Sequence, residues 1–158
     1  MSDARFEDSE ESAVYVTARD GDDVTVISAL CQDAVFPFTE MIWKSRQRQF
    51  AILFNRFRWE DRDAAEREGR GYERVRSVLS VGDVTKVRSM GLDQNDRDTI
   101  LSVLSIGFEA GADGTGRLVI TLAGDGAVSL NVECLDVTLR DVSQPYLAPS
   151  GRVPAHDV

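Results

Sequence analysis

Apolar residues along most of this chain either alternate with polar ones or form short continuous runs, and both patterns predict β-strands. The clearest case is the stretch 40–60, where six polar residues separate an apolar run at 41–43 from a longer run at 50–59. Two such runs joined by a short polar link are typical of a β-hairpin. We expect the rest of the chain to pack around this hairpin.

The second strand of the hairpin divides into two halves. Successive side chains point to opposite faces of a strand. One face therefore carries Phe50, Ile52, Phe54, Arg56 and Arg58, and the other carries Ala51, Leu53, Asn55, Phe57 and Trp59. The first half is apolar on both faces and the second half on one. The pattern predicts a central strand of a sandwich or barrel wall that leaves the core and meets solvent at its charged end.

Other alternating segments predict strands at 13–18, 74–81, 84–90, 99–109, 117–123 and 127–142, which gives about eight strands. The Gly82-Asp83 turn predicts that 84–90 returns as the partner of 74–81. The segments 117–123 and 127–142 predict a hairpin. Within the last segment the apolar parity switches between Cys134 and Leu135, which predicts a β-bulge.

One segment has the spacing of a helix. Ile27, Leu30, Cys31 and Ala34 recur at three and four residues, and a preceding aspartate can cap the first free amides. We predict a helix at about residues 22–34. The densely charged stretch 60–71 predicts a surface excursion without core residues, with one or two helical turns at most.

The length of 158 residues predicts one globular domain. We expect a mostly β (α+β) fold, either a single antiparallel β-sandwich or a partly open barrel, of which a pleckstrin-homology-like half-barrel is one version. The acidic segment 1–12 predicts a flexible arm. The proline-rich segment 144–158 predicts a flexible tail, which leaves 13–143 as the globular domain.

Net charge narrows the range of partners. A formal charge of −9 and a pI near 4.6 argue against general binding to nucleic acid or to anionic membranes. No apolar run is long enough to span a bilayer, and no signal-peptide pattern is present, so we expect a cytoplasmic protein. Cys31 and Cys134 form no CxxC pair, and we predict that both are small buried side chains.

Each candidate motif for catalysis or metal binding lacks a residue or a structural context that its chemistry requires. The single histidine, His156, lies near the C-terminus, which argues against a catalytic triad and a histidine-ligated metal. The glycine-rich loop 110–116 joins two strands instead of opening a helix, unlike a phosphate cradle. Asp93 and Asn95 have calcium-loop spacing, but Arg97 holds the third ligand position and cannot coordinate a cation. We predict no catalytic residue, metal site or cofactor.

Three pairs of basic residues at i, i+2 spacing are the one organised polar feature of the sequence. They are Arg56 and Arg58, Arg74 and Arg76, and Lys86 and Arg88. Each pair projects from one face of its predicted strand. If the three strands are neighbours, the six cations share one patch.

Three interpretations of such a patch stay open. In the first, the patch is a solvated outer face with the acids of residues 60–73 interleaved. In the second, it is a surface for an anionic ligand or an acidic partner. In the third, the arm 1–12 covers and regulates it. The first is the leading interpretation. The second is supported by the guanidinium groups, because they offer bidentate donors to phosphate or carboxylate. The candidate ligand-binding set is the six cations and Asn55, which needs a hydrogen-bond partner if it is buried.

Three classes of function follow. A non-enzymatic binding or interaction module, which takes a protein partner or a small anionic ligand, leads because catalytic residue types are scarce. A structural protein that forms a homo-oligomer, such as a homodimer, is the first alternative. An enzyme with a carboxylate and arginine cleft is the second.

Five segments resemble a family of small bacterial proteins catalogued as a domain of unknown function. They are QDAV (32–35), RQFAILFNRFRWE (48–60), VTKVRSMGLD (84–93), LSVLSIGFE (101–109) and LNVECLDVTLRDV (130–142). The similarity covers most of residues 14–142 and leaves the charged stretch 60–71 outside it. The resemblance implies one compact domain. It implies no activity, because the family has no assigned catalytic residues to transfer.

Overall fold

The computed structural model describes residues 13–154. Within this range the chain forms eleven strands and two α-helices, together with short 3-10 helices at Phe38–Glu40, Trp59–Asp61 and Ala112–Gly114. The elements in chain order are β1 (Tyr15–Ala18), α1 (Gly21–Cys31), β2 (Val35–Pro37), β3 (Met41–Lys44), β4 (Gln49–Phe57), α2 (Arg62–Glu68), β5 (Glu73–Val81), β6 (Val84–Met90), β7 (Ile100–Ala110), β8 (Gly116–Leu122), β9 (Ala127–Val132), β10 (Val137–Asp141) and β11 (Tyr146–Leu147).

Nine of these strands follow one another in the order β1-β10-β5-β4-β2-β7-β8-β9-β6, with β3 added on β4 and β11 on β5. Every pair is antiparallel. The path begins at β1 and ends at β6 without closing into a barrel. The first sheet contains β1, β10, β5, β4 and β2, with β3 and β11 at its side. The second sheet contains β7, β8, β9 and β6. This confirms the predicted mostly β, antiparallel, sandwich-like class.

The two sheets are joined through β7. Its first three residues, Ile100–Ser102, pair with β2 in the first sheet. The residues from Val103 onward pair with β8 in the second sheet. One cluster of buried side chains spans both sheets and α1, with Ile27 from α1, Ile52 and Leu79 from the first sheet, and Leu118 and Leu130 from the second. Each such side chain contributes about 1.5–3 kcal/mol when it leaves water.

The early helix is confirmed. Asp20 caps α1, and its side chain accepts a hydrogen bond from the Asp23 amide at 2.8 Å. The apolar stripe of α1 is buried. On the same helix, the Ser28 hydroxyl accepts a bond from the Ile106 amide of β7 at 2.9 Å, which fixes the helix against the strand that both sheets share.

The predicted pairing of 84–90 with 74–81 is wrong. At Gly82-Asp83 the chain leaves the first sheet, and β6 pairs with β9 in the second. Asp83 adopts a left-handed conformation, with φ of 55°, which aspartate tolerates better than most residues. A Gly-Asp turn is compatible both with a hairpin and with a change of sheet, so the local sequence did not distinguish the two.

The predicted β-bulge at Cys134-Leu135 is also wrong. β9 ends at Val132, and β10 begins at Val137 in the other sheet, so the apolar parity changes because two strands are present. The two sheet crossings lie side by side, because the Gly82 amide donates to the Asp136 carbonyl at 2.9 Å. The hairpin between β8 and β9 is confirmed.

The packed chain continues beyond residue 143. β11 pairs with β5 and places Tyr146 opposite Arg74. The arm 1–12 and His156 lie outside the described residues. None of the helices formed by residues 13–154 has the length and apolar character needed to cross a bilayer.

Candidate functional site

The three basic pairs occupy three different environments and do not form one patch. The register of β4 on β5 sets Arg56 opposite Val75, on the core side of the first sheet, and Asn55 opposite Arg76. Because neighbours on a strand face opposite ways, Arg74 and Arg76 lie on the outer side of that sheet. Lys86 and Arg88 lie on β6, in the second sheet.

Arg56 is 0% exposed, although the end of β4 was predicted to meet solvent. It continues the buried row that Phe54 belongs to, and two carboxylates neutralise it. Its Nη1 and Nη2 donate to the two oxygens of Glu60 at 2.8 and 2.7 Å. Its Nη2 and Nε donate to Oδ1 of Asp141 at 3.0 and 3.2 Å.

This buried network ties β4, β5 and β10 together and also holds Val14, the residue before β1. The Ser77 hydroxyl donates to Asp141 Oδ1 at 2.7 Å, and the Val14 amide donates to Asp141 Oδ2 at 2.8 Å. Burial by itself would lower the pKa of Arg56, but the hydrogen bonds and charges of Glu60 and Asp141 outweigh it and raise that pKa. Arg56 therefore holds the sheet together, and its donors are already bound to the protein.

Arg58 lies just beyond β4 and is 6% exposed. Its Nη1 donates to Glu73, and its guanidinium lies 3.6 Å from Glu60 and 3.8 Å from Asp61. The stretch 60–71, predicted to contribute nothing to the interior, thus supplies carboxylates to two buried arginines. It also contains the fully buried Ala65 on α2.

Arg74 and Arg76 line two adjacent depressions on the outer side of the first sheet. The smaller one, of about 330 Å³, is lined by Asp33, Val35, Arg74, Ser102 and Arg152, among others. The larger one, of about 590 Å³, is lined by Val35, Glu40, Asn55, Arg76 and Tyr146, among others. Since Val35 lines both, we treat them as one feature, the Arg74–Arg76 groove.

The groove lies where the first sheet is interrupted. β3 pairs with the part of β4 from Gln49 to Ile52. β2 pairs with β4 only at Asn55. Between these two strands the chain detours through a 3-10 helix, so neither strand lies beside Leu53 and Phe54. Both residues line the larger depression.

Arg74 is half-buried, and its hydrogen bonds go to neutral oxygens. Its Nε donates to the Asn55 side chain, and its Nη2 donates to the Asn55 carbonyl at 3.1 Å. The Asn55 amide in turn donates to the Tyr146 hydroxyl, which meets the predicted need for a partner. Burial lowers the pKa of Arg74, and the charges of Tyr146 and Asp33 act in the opposite direction. Within residues 13–154 neither Arg74 nor Arg76 forms an ion pair.

Lys86 and Arg88 are exposed on the outer side of the second sheet. The strand registers align Lys86 with Asn131 and then with Arg117, so three cations lie close together across β6, β9 and β8. Arg117 is paired with Glu109, to which its Nε donates at 2.9 Å. In the described part of the chain, Lys86 and Arg88 have no ion pair.

Sequence reasoning missed Tyr146 and Arg152. Both belong to the segment 144–158, which was predicted to be a tail, and only the pairing of β11 with β5 brings them to the groove. β11 has only two residues, Tyr146 and Leu147, and a segment so short has no sequence pattern that indicates its pairing with β5. In the described range, no group of three or more His, Cys, Asp or Glu side chains is arranged to hold a metal ion.

The two cysteines are expected to differ in reactivity. Burial raises the pKa of the Cys31 thiol to about 12. Cys134 is exposed, contrary to the prediction for it, and its thiol donates to Asp83 at 2.9 Å, which raises its pKa. We expect a maleimide at mildly alkaline pH to label Cys134 in the folded protein and Cys31 only after denaturation, as counted by mass spectrometry. Labelling of the folded Cys134→Ser variant would contradict this assignment.

Comparison with known proteins yields one match. A family model described as "Protein of unknown function (DUF2948)" matches residues 14–156. Neither the search of curated proteins nor the search of solved structures found a match. The matched range contains the whole Arg74–Arg76 groove, including Tyr146 and Arg152.

Proposed function

Since the chain belongs to the DUF2948 family of proteins of unknown function, we propose a function from its own geometry, namely a non-enzymatic module that binds a small anionic ligand in the Arg74–Arg76 groove. One observation carries the proposal. Arg74 is a half-buried cation whose side-chain hydrogen bonds, within residues 13–154, all go to the oxygens of Asn55, which are neutral.

The contrast with Arg56 supports this proposal. A guanidinium that leaves water loses hydration, and a buried charge is stable when an opposite charge replaces that hydration. Arg56 has Glu60 and Asp141 for this purpose. Arg74 has the side chain of Asn55 and, without a direct ion pair, the charge of Asp33, so an anion in the groove would supply a direct counter-ion. The attraction is stronger there than in bulk water, because the groove has a lower effective dielectric.

The groove also has the composition of a ligand site. Its volumes fall in the range of about 300–1,000 Å³ that small-molecule sites occupy. Arg76 and Arg152 add two more guanidiniums, against the carboxylates of Asp33 and Glu40. Planar guanidiniums suit carboxylate and phosphate groups. The apolar side chains of Val35 and Leu53 favour a ligand that carries a short apolar part beside its anionic group.

Replacing Arg76 with glutamine tests the proposal. A hydrogen bond to a charged group contributes about 1.5–3 kcal/mol, so we expect Arg76→Gln to weaken binding of citrate or inorganic phosphate by tenfold or more. The binding is measured by titration, following the NMR signal of the Asn55 side-chain amide. The matched control is Arg140→Gln, because Arg140 is an exposed arginine on β10, in the same sheet and outside the groove lining.

Two results would overturn the proposal. One is the absence of any shift of the Asn55 amide with either probe. The other is an equal loss of affinity in Arg76→Gln and Arg140→Gln, because it would show that the net charge of the sheet face governs binding and the groove does not.

A further inference from the structure

The far end of the sheet path leaves one strand edge unpaired. β6 pairs with β9 on one side only. On the other side its first residue, Val84, donates its amide to the Arg48 carbonyl at 2.9 Å, and residues 85–90 make no backbone hydrogen bond there within the described chain. An unpaired edge of this kind is a template for another strand.

An apolar cleft of about 200 Å³ lies beside this edge. Met41 and Trp43 of β3 line one side of it, and Val87 of β6 lines the other, together with Phe50 and Val128. β3 is also paired on one side only, with β4. We call this feature the β3–β6 cleft.

The side chains of β6 alternate between two surroundings. Val87 faces the cleft and is partly buried, whereas Lys86 and Arg88 are exposed on the outer side. Arg117 lies two strands away in line with Lys86. On a protein with a formal charge of −9, this edge is locally basic. A strand laid beside β6 would alternate in the same way, with one row of side chains over the cleft and the other beside Lys86 and Arg88.

We propose that the edge of β6 binds an extended segment of a partner protein in which acidic residues alternate with apolar ones. The backbone of the segment pairs with β6, its apolar side chains enter the β3–β6 cleft, and its carboxylates meet Lys86 and Arg88. A second copy of this chain does not suit the edge. Pairing β6 with itself would set Lys86 and Arg88 beside the same cations, and like charges on facing strands destabilise a sheet.

The probe for this site is a capped peptide of alternating glutamate and valine with threonine at both ends. We expect it to change the fluorescence of Trp43, which lines the cleft, and to bind tenfold or more weakly to the Arg88→Glu variant. Arg140→Glu is the matched control, because Arg140 is also an exposed arginine on the outer side of a strand, in the other sheet. The Arg140→Glu variant should bind the peptide nearly as well as the unmodified protein does.

Methylated peptides separate backbone pairing from simple charge attraction. In a strand the amides of alternate residues point to the same side, so an added strand bonds to β6 through either its glutamate or its valine amides. One peptide is N-methylated on the glutamates and another on the valines. We expect only one of the two to lose its affinity. The proposal is overturned if the unmodified peptide does not bind, if both methylated peptides bind as well as it does, or if Arg140→Glu loses as much affinity as Arg88→Glu.

Discussion

Replacing Arg56 with alanine is expected to lower the free energy of unfolding by about 3–5 kcal/mol, the usual loss when one partner of a buried ion pair is removed. The substitution leaves Asp141, whose side chain is 2% exposed, and Glu60, whose side chain is 26% exposed, without their shared counter-ion. It also removes the link between β4, β5 and β10. Urea unfolding followed by tryptophan fluorescence measures the loss.

The neighbouring strand supplies the control. Arg76→Ala removes an exposed arginine from β5, and such surface changes usually stay within about 0.5 kcal/mol. A second variant tests the cause of the loss. If unpaired carboxylate charge causes it, Arg56→Met combined with Asp141→Asn should cost less than the sum of the two single changes. A loss for Arg56→Ala no larger than that for Arg76→Ala would show that the network contributes little to stability.

Phe57→Ala is expected to cost about 3–5 kcal/mol, as for other large buried aromatic side chains. Phe57 lies on the outer side of the first sheet, yet it is fully buried, because the rings of Trp59 and Tyr72 cover it with centroids at 4.7 and 5.7 Å. Trp59 is fixed in turn by the bond from its Nε1 to the Gln32 carbonyl at 2.9 Å. Removing the Phe57 ring leaves a cavity under that cover.

The same denaturation experiment on Tyr15→Ala provides the comparison. Tyr15 is an aromatic residue of β1, also in the first sheet, and it is 69% exposed, so its removal should cost little. Equal losses in Phe57→Ala and Tyr15→Ala would mean that the Trp59 and Tyr72 rings collapse into the space and that the cover is not a rigid part of the core.

Local pattern was enough to predict most of the elements of this fold. The stripe of α1, the alternation of β5 and the hairpin of β8 and β9 each depend on residues close together in the chain, and all three are confirmed. The pairing of β6 depends instead on β9, some forty residues later, and the order of strands in the sheets could not be deduced from any one segment.

The candidate site shows a similar division. The spacing of Arg74 and Arg76 correctly predicts that both leave the same side of one strand. Arg56 was assigned to solvent because a charge is costly to bury, although it shares its parity with Phe50, Ile52 and Phe54. That shared parity was the available signal for burial. The counter-ion that makes burial possible, Asp141, is 85 residues away and has no recognisable local pattern.

The pairing of β1 with β10 has a consequence for how the protein folds during synthesis. The Val14 amide binds the side chain of a residue 127 positions later, so β1 leaves the ribosome long before its partner exists. Until β10 emerges, β5 has a partner strand only in β4, and Arg56 has only Glu60 as a counter-ion. Contacts so distant in sequence slow folding, because loop-closure entropy is lost before they form. We therefore expect the nascent chain to gain protease resistance in one late step, after residues 137–147 have left the exit tunnel.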